Sequence, residues 1–215
     1  MTHAQNLAAD ERVTDLWVTH TTGPPPLSLL PLRTGPIACL SVRCRGDDGS
    51  RFFAEEIAGV PELSALYRAD EVIPVSYERS WTVGEMTPGI CLLTLFHRKP
   101  GVGHRTFLRR WYDGHTPLSL RLHPLWHYNR NEVRLLGPTD GRLSDRGIVL
   151  SGGYNGIVEE HFRRRSDLLN PLRFYGRSNV ILQNMLTVLI DILGFIDLRR
   201  IETYLVRETI VKASS

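Results

Sequence analysis

The chain has 215 residues, of which 42% are hydrophobic and 23% are charged, and its formal net charge is +3. This composition is typical of a globular protein with a sizeable core, and it excludes fibrous and disordered classes. No basic run is longer than the three residues at 163–165. Because nucleic-acid-binding faces need clustered Lys and Arg, we expect no nucleic-acid partner.

Cysteine usage and the apolar segments predict the compartment. Cys39, Cys44 and Cys91 are odd in number and form no Cys-x-x-Cys pair, which favours free thiols in a reducing compartment. The N-terminus lacks the basic and apolar regions of a signal peptide. The most apolar stretch, 180–196, carries Gln183, Asn184 and Asp191 and is shorter than the roughly 20 residues that a bilayer span needs. We therefore expect a cytoplasmic protein without membrane contact.

The first 88 residues predict an extension followed by a degenerate half-domain. Residues 1–35 are assigned to an N-terminal extension, in which 1–15 are polar and expected to fray. Residues 21–36 contain five prolines and predict an extended connector. Residues 36–88 form the degenerate half. Its predicted elements are a strand at 36–45, a helix at 50–69 and a strand at 70–84.

Residues 89–215 predict a more complete domain. Residues 89–99 are apolar on both alternating faces, as in a strand that is covered on both sides. The later predicted elements are a helix through 107–122, strands at 125–137 and 148–162, a helical region at 165–199 interrupted at Pro171 and Gly176, and a closing strand at 202–212. The order β-α-β-β-α-β is that of the ferredoxin-like α+β fold.

His115 is the leading candidate for acid–base chemistry. Phe107, Trp111 and His115 are spaced four apart and fall on one stripe of the predicted helix. Pro117 disfavours helical geometry at Thr116, so we expect the helix to kink or end there, at the rim of a cavity. His115 is then either a general acid or base near neutral pH or a core histidine bonded to a backbone carbonyl.

The strand after this helix carries a second candidate cluster. His127, Asn129 and Asn131 share one face, and Tyr128 lies on the other. Two amides and an imidazole are unusual on a buried sheet face unless that face lines a polar pocket; the alternative is a solvent-exposed edge strand. Tyr128 is a candidate donor to a developing oxyanion.

The remaining motifs are weaker. The glycine-rich segment 151–156 allows close approach of a ligand, with Tyr154 over the pocket, although a β-bulge explains the glycines as well. His123 and His127 are four apart, but Pro124 between them breaks helical register, which argues against metal ligation. No dinucleotide fingerprint or serine elbow occurs. We expect neither metal nor organic cofactor.

The helix predicted at 178–196 is apolar nearly all round. Such a helix must be buried on more than one side. It packs against the first half of the chain, forms a homodimer interface, or does both.

The second half resembles the EthD family of the dimeric α/β-barrel superfamily. The resemblance covers residues 89–212 and rests on the order of a basic-Pro-Gly turn, an aromatic helix, a His-x-Pro-Leu motif and a strand with Tyr and Asn. The matching residues are Arg98, Lys99, Pro100, Gly101, Phe107, Trp111, Tyr112, His115, Pro117, Leu118, Tyr128 and Asn131.

The resemblance implies a ferredoxin-like βαββαβ antiparallel sheet with helices on one face. The other face closes a barrel with a partner subunit or with the chain's other half, and the habit of the superfamily favours a homodimer. Relatives use the cavity for small hydrophobic or aromatic substrates without metal or cofactor, in dehydration, decarboxylation, isomerisation or oxygenation. Because proteins of this fold carry out different reactions, the fold does not identify the reaction.

These observations predict a cofactor-independent enzyme acting on a small hydrophobic or aromatic carbonyl compound. His115 is the expected general acid or base, and Tyr128 acts with it. The expected substrate-binding residues are Arg98, Trp111, Asn129, Asn131 and Tyr154. The alternative is a non-catalytic ligand-binding or dimerisation module of the same fold. An RNA-recognition module is disfavoured because no strand carries its aromatic pattern.

Overall fold

The architecture is one seven-stranded antiparallel sheet, seen in a computed structural model that describes residues 3–24, 26, 30–46, 53, 57, 63–136 and 153–214. The strand order is β2-β1-β7-β4-β6-β5-β3, and every neighbouring pair is antiparallel. The strands are β1 (Val13–His20), β2 (Ala38–Cys44), β3 (Tyr67–Val75), β4 (Ile90–Phe96), β5 (His127–Leu135), β6 (Gly156–Phe162) and β7 (Glu202–Lys212).

Short helices accompany the sheet. The described helices are α1 (His3–Ala8), α2 (His104–Arg109), a π-helical segment (Arg110–His115), α3 (Thr116–Leu122), α4 (Arg165–Leu169), α5 (Pro171–Phe174), α6 (Ile181–Leu193) and a 3₁₀ turn (Leu198–Arg200). None of the helices within the described ranges is both long and apolar enough to cross a membrane.

The sheet curls into a half-barrel, which gives it an inner and an outer face. Trp17 on β1 reaches across the curl and donates a hydrogen bond to Glu159 on β6. The edge strands β2 and β3 are bridged by an ion pair between Arg43 and Glu71. Because these contacts join strands that are far apart in the sheet order, the face carrying them is the concave one.

The outer face holds the largest apolar cluster. Phe107 and Trp111 from the helix pack on Phe96 of β4 and Tyr128 of β5, and all four are at least 98% buried. Trp111 meets the Phe96 ring edge-on at 4.9 Å between centroids. The predicted stripe of Phe107 and Trp111 is therefore the buried side of this helix.

Of the two outcomes predicted at Thr116, a kink or the end of the helix, the end is wrong. The chain widens into a π-helical segment at Arg110–His115 and then continues as α3. The backbone N–H of Thr116 bonds the carbonyl of Trp111, five residues earlier, and the Thr116 hydroxyl bonds the same oxygen at 3.0 Å. Pro117 then falls in the first turn of α3, where its missing N–H leaves no hydrogen bond unmade.

The apolar helix α6 is not buried within the chain, so packing inside the chain does not cover it on more than one side. The homodimer interface stays a prediction. No residue of Ile181–Leu193 is buried. The exposed apolar side chains lie at helical spacing on one face: Leu182, Leu186, Leu189, Ile190 and Leu193.

The predicted fold class is also wrong. The chain forms one curled half-barrel sheet of seven antiparallel strands with few helices, rather than ferredoxin-like βαββαβ sheets with helices on one face that close a dimeric or tandem barrel. The reason is that strands before residue 89 add to both edges of the same sheet and make it curl. The Arg43–Glu71 pair joins those edges within one chain.

Strand predictions from residue 36 onward agree with the structure at 38–44, 70–75, 90–96, 127–135, 156–162 and 202–212. The end of the helix predicted at 50–69 is wrong, because β3 begins at Tyr67, and residues 76–84 of the predicted strand are not in a strand. The expectation that residues 1–15 fray is wrong, because β1 starts at Val13 and pairs with β2 and β7. Most of the helix predicted at 50–69, and residues 148–152 of the predicted strand, lie outside the described residues. The division at residues 35 and 88 stays a prediction.

Candidate functional site

The inner face carries a cluster of buried polar side chains beside an apolar patch. The patch, made by Cys91, Leu93, Leu95 and Val206, fills one part of the concave surface. The polar part, which we call the inner-face cluster, consists of Trp17, Thr19, Glu71, Tyr77, His127, Asn129, Glu159, His161 and Glu208. Buried polar groups at this density require a partner for each donor and acceptor.

Glu159 lies at the centre of the cluster and is 2% exposed. Its carboxylate accepts hydrogen bonds from the indole N–H of Trp17, at 3.3 and 3.4 Å, and from the amide of Asn129 at 3.1 Å. No cationic side chain of the described ranges pairs with it. Burial, followed by the nearby charge of Glu208, raises the pKa of Glu159 to about 8.

Glu208 on β7 is the second buried carboxyl, 5% exposed. It accepts hydrogen bonds from the hydroxyls of Thr87 at 2.7 Å and Tyr77 at 2.9 Å. Nε2 of His161 is 3.5 Å from its other oxygen, which is too far for a strong hydrogen bond. Burial raises the pKa of Glu208, although the hydrogen bonds from Thr87 and Tyr77 partly oppose the shift.

Two imidazoles complete the cluster. His127 on β5 and His161 on β6 are register partners, with ring centroids 5.2 Å apart. Burial lowers the pKa of His127 to about 4 and that of His161 to about 3. Both rings are therefore neutral at pH 7. The ring of Tyr77 covers His127 at 4.5 Å and also packs against Trp81 and Trp126.

Four atoms of the cluster are buried without a hydrogen-bond partner. They are Thr19 Oγ1, His127 Nδ1, Asn129 Oδ1 and His161 Nε2, and each belongs to a side chain that is more than nine-tenths buried. The sulfur of Cys39 lies beside Thr19 and is at best a weak hydrogen-bond acceptor for its hydroxyl. Each unmade hydrogen bond costs about 1–3 kcal/mol. A group of such atoms on one concave face is the arrangement expected of a site that a ligand completes.

The structure separates the predicted site residues between the two faces. Asn129 and the half-buried Asn131 lie on the inner face of β5, as the alternation predicted. Tyr128 and Trp111 are 1% exposed in the outer-face core. Burial and the nearby Glu160 raise the pKa of Tyr128, so its phenol stays protonated.

His115 is held by side chains on both ring nitrogens. Its Nδ1 is 2.8 Å from Asp191 of α6, and its Nε2 is 3.2 Å from the Ser119 hydroxyl one helical turn on. Ser119 is fully buried. Glu160 lies nearby on the outer face, and burial raises its pKa to about 7 although His115 opposes the shift. The arrangement ties α6 to the π-helical segment.

The last two predicted residues lie outside the inner-face cluster, although Tyr154 packs against the apolar patch beside it. Tyr154 bonds Glu202 through its hydroxyl at 2.6 Å and packs on His97 with ring centroids 4.8 Å apart. The backbone N–H of Arg98 bonds the side chain of Asn155. Their expected roles in substrate binding stay predictions.

The sequence reasoning missed both carboxyls at the centre of the inner-face cluster. One signal was available, since "IVEEHF" places two glutamates in the middle of an otherwise apolar strand. Alternation puts Glu159 with His161 on one face and Glu160 on the other. Nothing comparable marks Glu208, which lies in a strand of ordinary polar–apolar alternation.

Within the described ranges, no three His, Cys, Asp or Glu side chains are placed to hold a metal ion. The absence of a metal or cofactor therefore stays a prediction. No family model, curated protein or solved structure matches this chain. The resemblance to the EthD family thus rests on the motif residues alone.

Proposed function

We propose that the protein binds a small polar molecule in the inner-face cluster. The observation that carries the proposal is the group of four buried, unpartnered polar atoms, on Thr19, His127, Asn129 and His161. They come from three strands that are brought together by the curl of the sheet. A ligand that makes the missing hydrogen bonds removes the free-energy cost of the unpartnered atoms. The positions of these atoms also determine which ligands fit the site.

The proposal favours binding over catalysis. A general acid or base needs a free ring nitrogen or carboxyl facing its substrate. Both nitrogens of His115 already have protein partners, and its neighbour Ser119 has no exposed surface. An enzyme with His115 as general acid or base is retained as the competing proposal, favoured by the Asp191 contact, which would orient the ring for proton transfer.

Thr19→Val tests whether the polar atoms serve a ligand. Valine keeps the shape of threonine and removes the unpartnered hydroxyl, so the free energy of unfolding should be unchanged or higher by about 1 kcal/mol. Thr203→Val is the control, because Thr203 is also buried and its hydroxyl donates to the Pro31 carbonyl at 2.7 Å. That variant should lose about 1 kcal/mol. Urea denaturation measures both.

The same variants are then screened by NMR with a mixture of small amides, alcohols and amines. We expect shifts of the Trp17 indole N–H in the wild type, weaker shifts in Thr19→Val and wild-type shifts in His115→Ala. Fragment shifts that vanish in His115→Ala but survive in Thr19→Val would move the site to the outer face. A destabilised Thr19→Val would show that its hydroxyl is already satisfied.

As a second proposal, two copies of the chain associate through α6, which would form the predicted homodimer. The five exposed apolar residues of this helix share one face. Asp191, the single charged residue of α6, is bound to His115. A symmetric contact between two copies buries apolar surface on apolar surface and leaves no charge unpaired.

Light scattering coupled to size exclusion tests the dimer. We expect wild-type protein at twice the chain mass and the double variant Leu186→Glu/Ile190→Glu at the mass of one chain. Leu172→Glu is the control, since Leu172 is 52% exposed on α5, outside this face. A monomeric wild type, or a double variant that stays dimeric, would refute the proposal.

A further inference from the structure

We infer that the ligand of the inner-face cluster is a small organic cation with a primary ammonium group, held by Glu159 and Glu208 between aromatic side chains. The inference rests on the proposed function and names the chemical class of its ligand. Three independent features of the cluster support it: its unbalanced charge, its excess of acceptors and its aromatic walls.

The charge of the inner face is unbalanced among the described residues. Glu159 and Glu208 are both at least 95% buried, and their hydrogen-bond donors are neutral. The guanidinium of Arg43 is already bonded to Glu71 and lies 3.7 Å from Asp15, and that of Arg163 lies 5.4 Å from the centre of the Trp126 ring. Neither of these two groups forms an ion pair with Glu159 or Glu208. Both imidazoles resist protonation. A buried carboxyl without a cation keeps its proton, as the raised pKa of Glu159 indicates, and a cationic ligand would stabilise the ionised form.

The vacant hydrogen-bond positions next to Glu159 call for donors. The amide nitrogen of Asn129 donates to Glu159 and to Glu71, which leaves its oxygen as an unpartnered acceptor. The Thr19 hydroxyl also accepts, and its strand position is opposite Glu208. An ammonium group carries three N–H donors and no acceptor, so it satisfies carboxylate, amide and hydroxyl oxygens together.

Aromatic rings line the two carboxyls. Trp17 donates to Glu159 and Tyr77 donates to Glu208, so both rings are held beside the acidic groups. Tyr77 packs against Trp81 and Trp126. The faces of such rings attract cations, and Arg43 already lies 5.0 Å from the centre of the Trp17 ring. Carboxylates framed by aromatic rings are typical of amine recognition.

The inferred binding depends on pH. Glu159 holds a proton at neutral pH, and a cation binds its ionised form. Affinity should therefore rise about tenfold per pH unit from pH 6 and level off near pH 8, because proton and ligand compete. The titratable groups around Glu159 are Cys39, Arg43, Glu71, Tyr77, Cys91, His127, His161 and Glu208. The two imidazoles stay neutral between pH 6 and pH 8, because burial lowers their pKa values to about 4 and about 3.

The experiment compares three probes of one size on the full chain by NMR, at equal ionic strength: n-propylammonium, propionamide and propionate. We expect propylammonium to shift the Trp17 indole N–H and to bind at least tenfold more tightly than propionamide, with no propionate binding. Glu159→Gln should weaken propylammonium binding at least tenfold. Glu160→Gln should change it less than twofold, because Glu160 is the next residue on the same strand and faces outward.

The wild-type pH series makes the test independent of how the variants fold. Propylammonium affinity that is flat between pH 6 and pH 8, or equal affinity for propionamide, would overturn the cation while leaving a polar binding site. Unchanged propylammonium binding in a folded Glu159→Gln protein would overturn it too. If none of the three probes nor the fragment mixture binds, the proposed function fails together with this inference.

Discussion

Glu159→Gln should make the protein more stable relative to the wild type as the pH rises. The pKa of Glu159 is raised from 4.5 to about 8 in the folded protein. A carboxyl with a raised pKa contributes stability that is complete below its unfolded pKa of 4.5 and is lost as the pH rises through 8. The glutamine variant has no proton to lose there. Its advantage over the wild type should grow by about 2 kcal/mol between pH 6 and pH 8.

Urea denaturation of the wild type and of Glu159→Gln from pH 6 to pH 8 measures the difference in their free energies of unfolding. The two buried histidines contribute equally to both proteins, so their effect cancels in this difference. Glu160→Gln is the comparison. The pKa of Glu160 is raised to about 7, and its side chain is partly exposed. Its difference from the wild type should be smaller, about 1 kcal/mol, and should level off one pH unit earlier. Parallel curves for the wild type and Glu159→Gln would contradict the account.

Gly89→Ala should be among the most destabilising single substitutions in the chain. Gly89 has φ of +87°, and a Cβ there would lie 2.1 Å from the backbone oxygen of Phe162. A left-handed conformation alone costs an L-residue about 1–2 kcal/mol. The clash with a backbone atom adds to this cost, because neither chain can yield without breaking the β4–β6 pairing that positions Glu159 and His161.

Gly101→Ala is the matched control for this clash. Gly101 has φ of +82°, but nothing lies within 4 Å of its Cβ position. It should therefore lose only the left-handed cost of about 1–2 kcal/mol. Chemical denaturation of the two variants separates conformational strain from steric overlap. Equal losses in the two proteins would show that β4 and β6 do not approach so closely at this end.

Local sequence patterns were sufficient to predict most strands from residue 36 onward. The uninterrupted apolar run of β4 and the alternation of β5 follow directly from the periodicity of a strand. That alternation correctly placed His127, Asn129 and Asn131 on one face. Whether this face is concave or solvent-exposed depends on how the sheet curls, and the curl is set by contacts such as Trp17–Glu159, 142 residues apart.

The fold class was wrong for a related reason. The segment 13–20 carries mixed polar and apolar residues, so its pattern gave no reason to expect a strand beside β7 at the interior of the sheet. Once β1 and β2 extend the sheet on one side and β3 on the other, the chain makes a single curled layer. Which strands pair over such distances is not encoded in local periodicity.

The contacts of His115 could not be predicted from the sequence either. Helical spacing predicted its stripe with Phe107 and Trp111, but its partner Asp191 is 76 residues away in a different helix. The π-helical segment that carries His115 past Pro117 depends on the Thr116 and Trp111 contacts, which no spacing rule reveals. The apolar composition of α6 predicted that this helix is buried, but one of its apolar faces is exposed in the single chain. We propose above that a second copy of the chain covers this face.

A ¹³C NMR titration of the glutamate side-chain carboxyls tests the central claim most directly, namely that the inner face holds a buried carboxyl without a cation. Glu159→Gln assigns the resonance. We predict one carboxyl that titrates near pH 8, is absent from the variant and moves toward the ordinary glutamate range when propylammonium binds. A Glu159 resonance that titrates near pH 4.5 in the free protein would show a solvated or already paired carboxylate and would contradict the account.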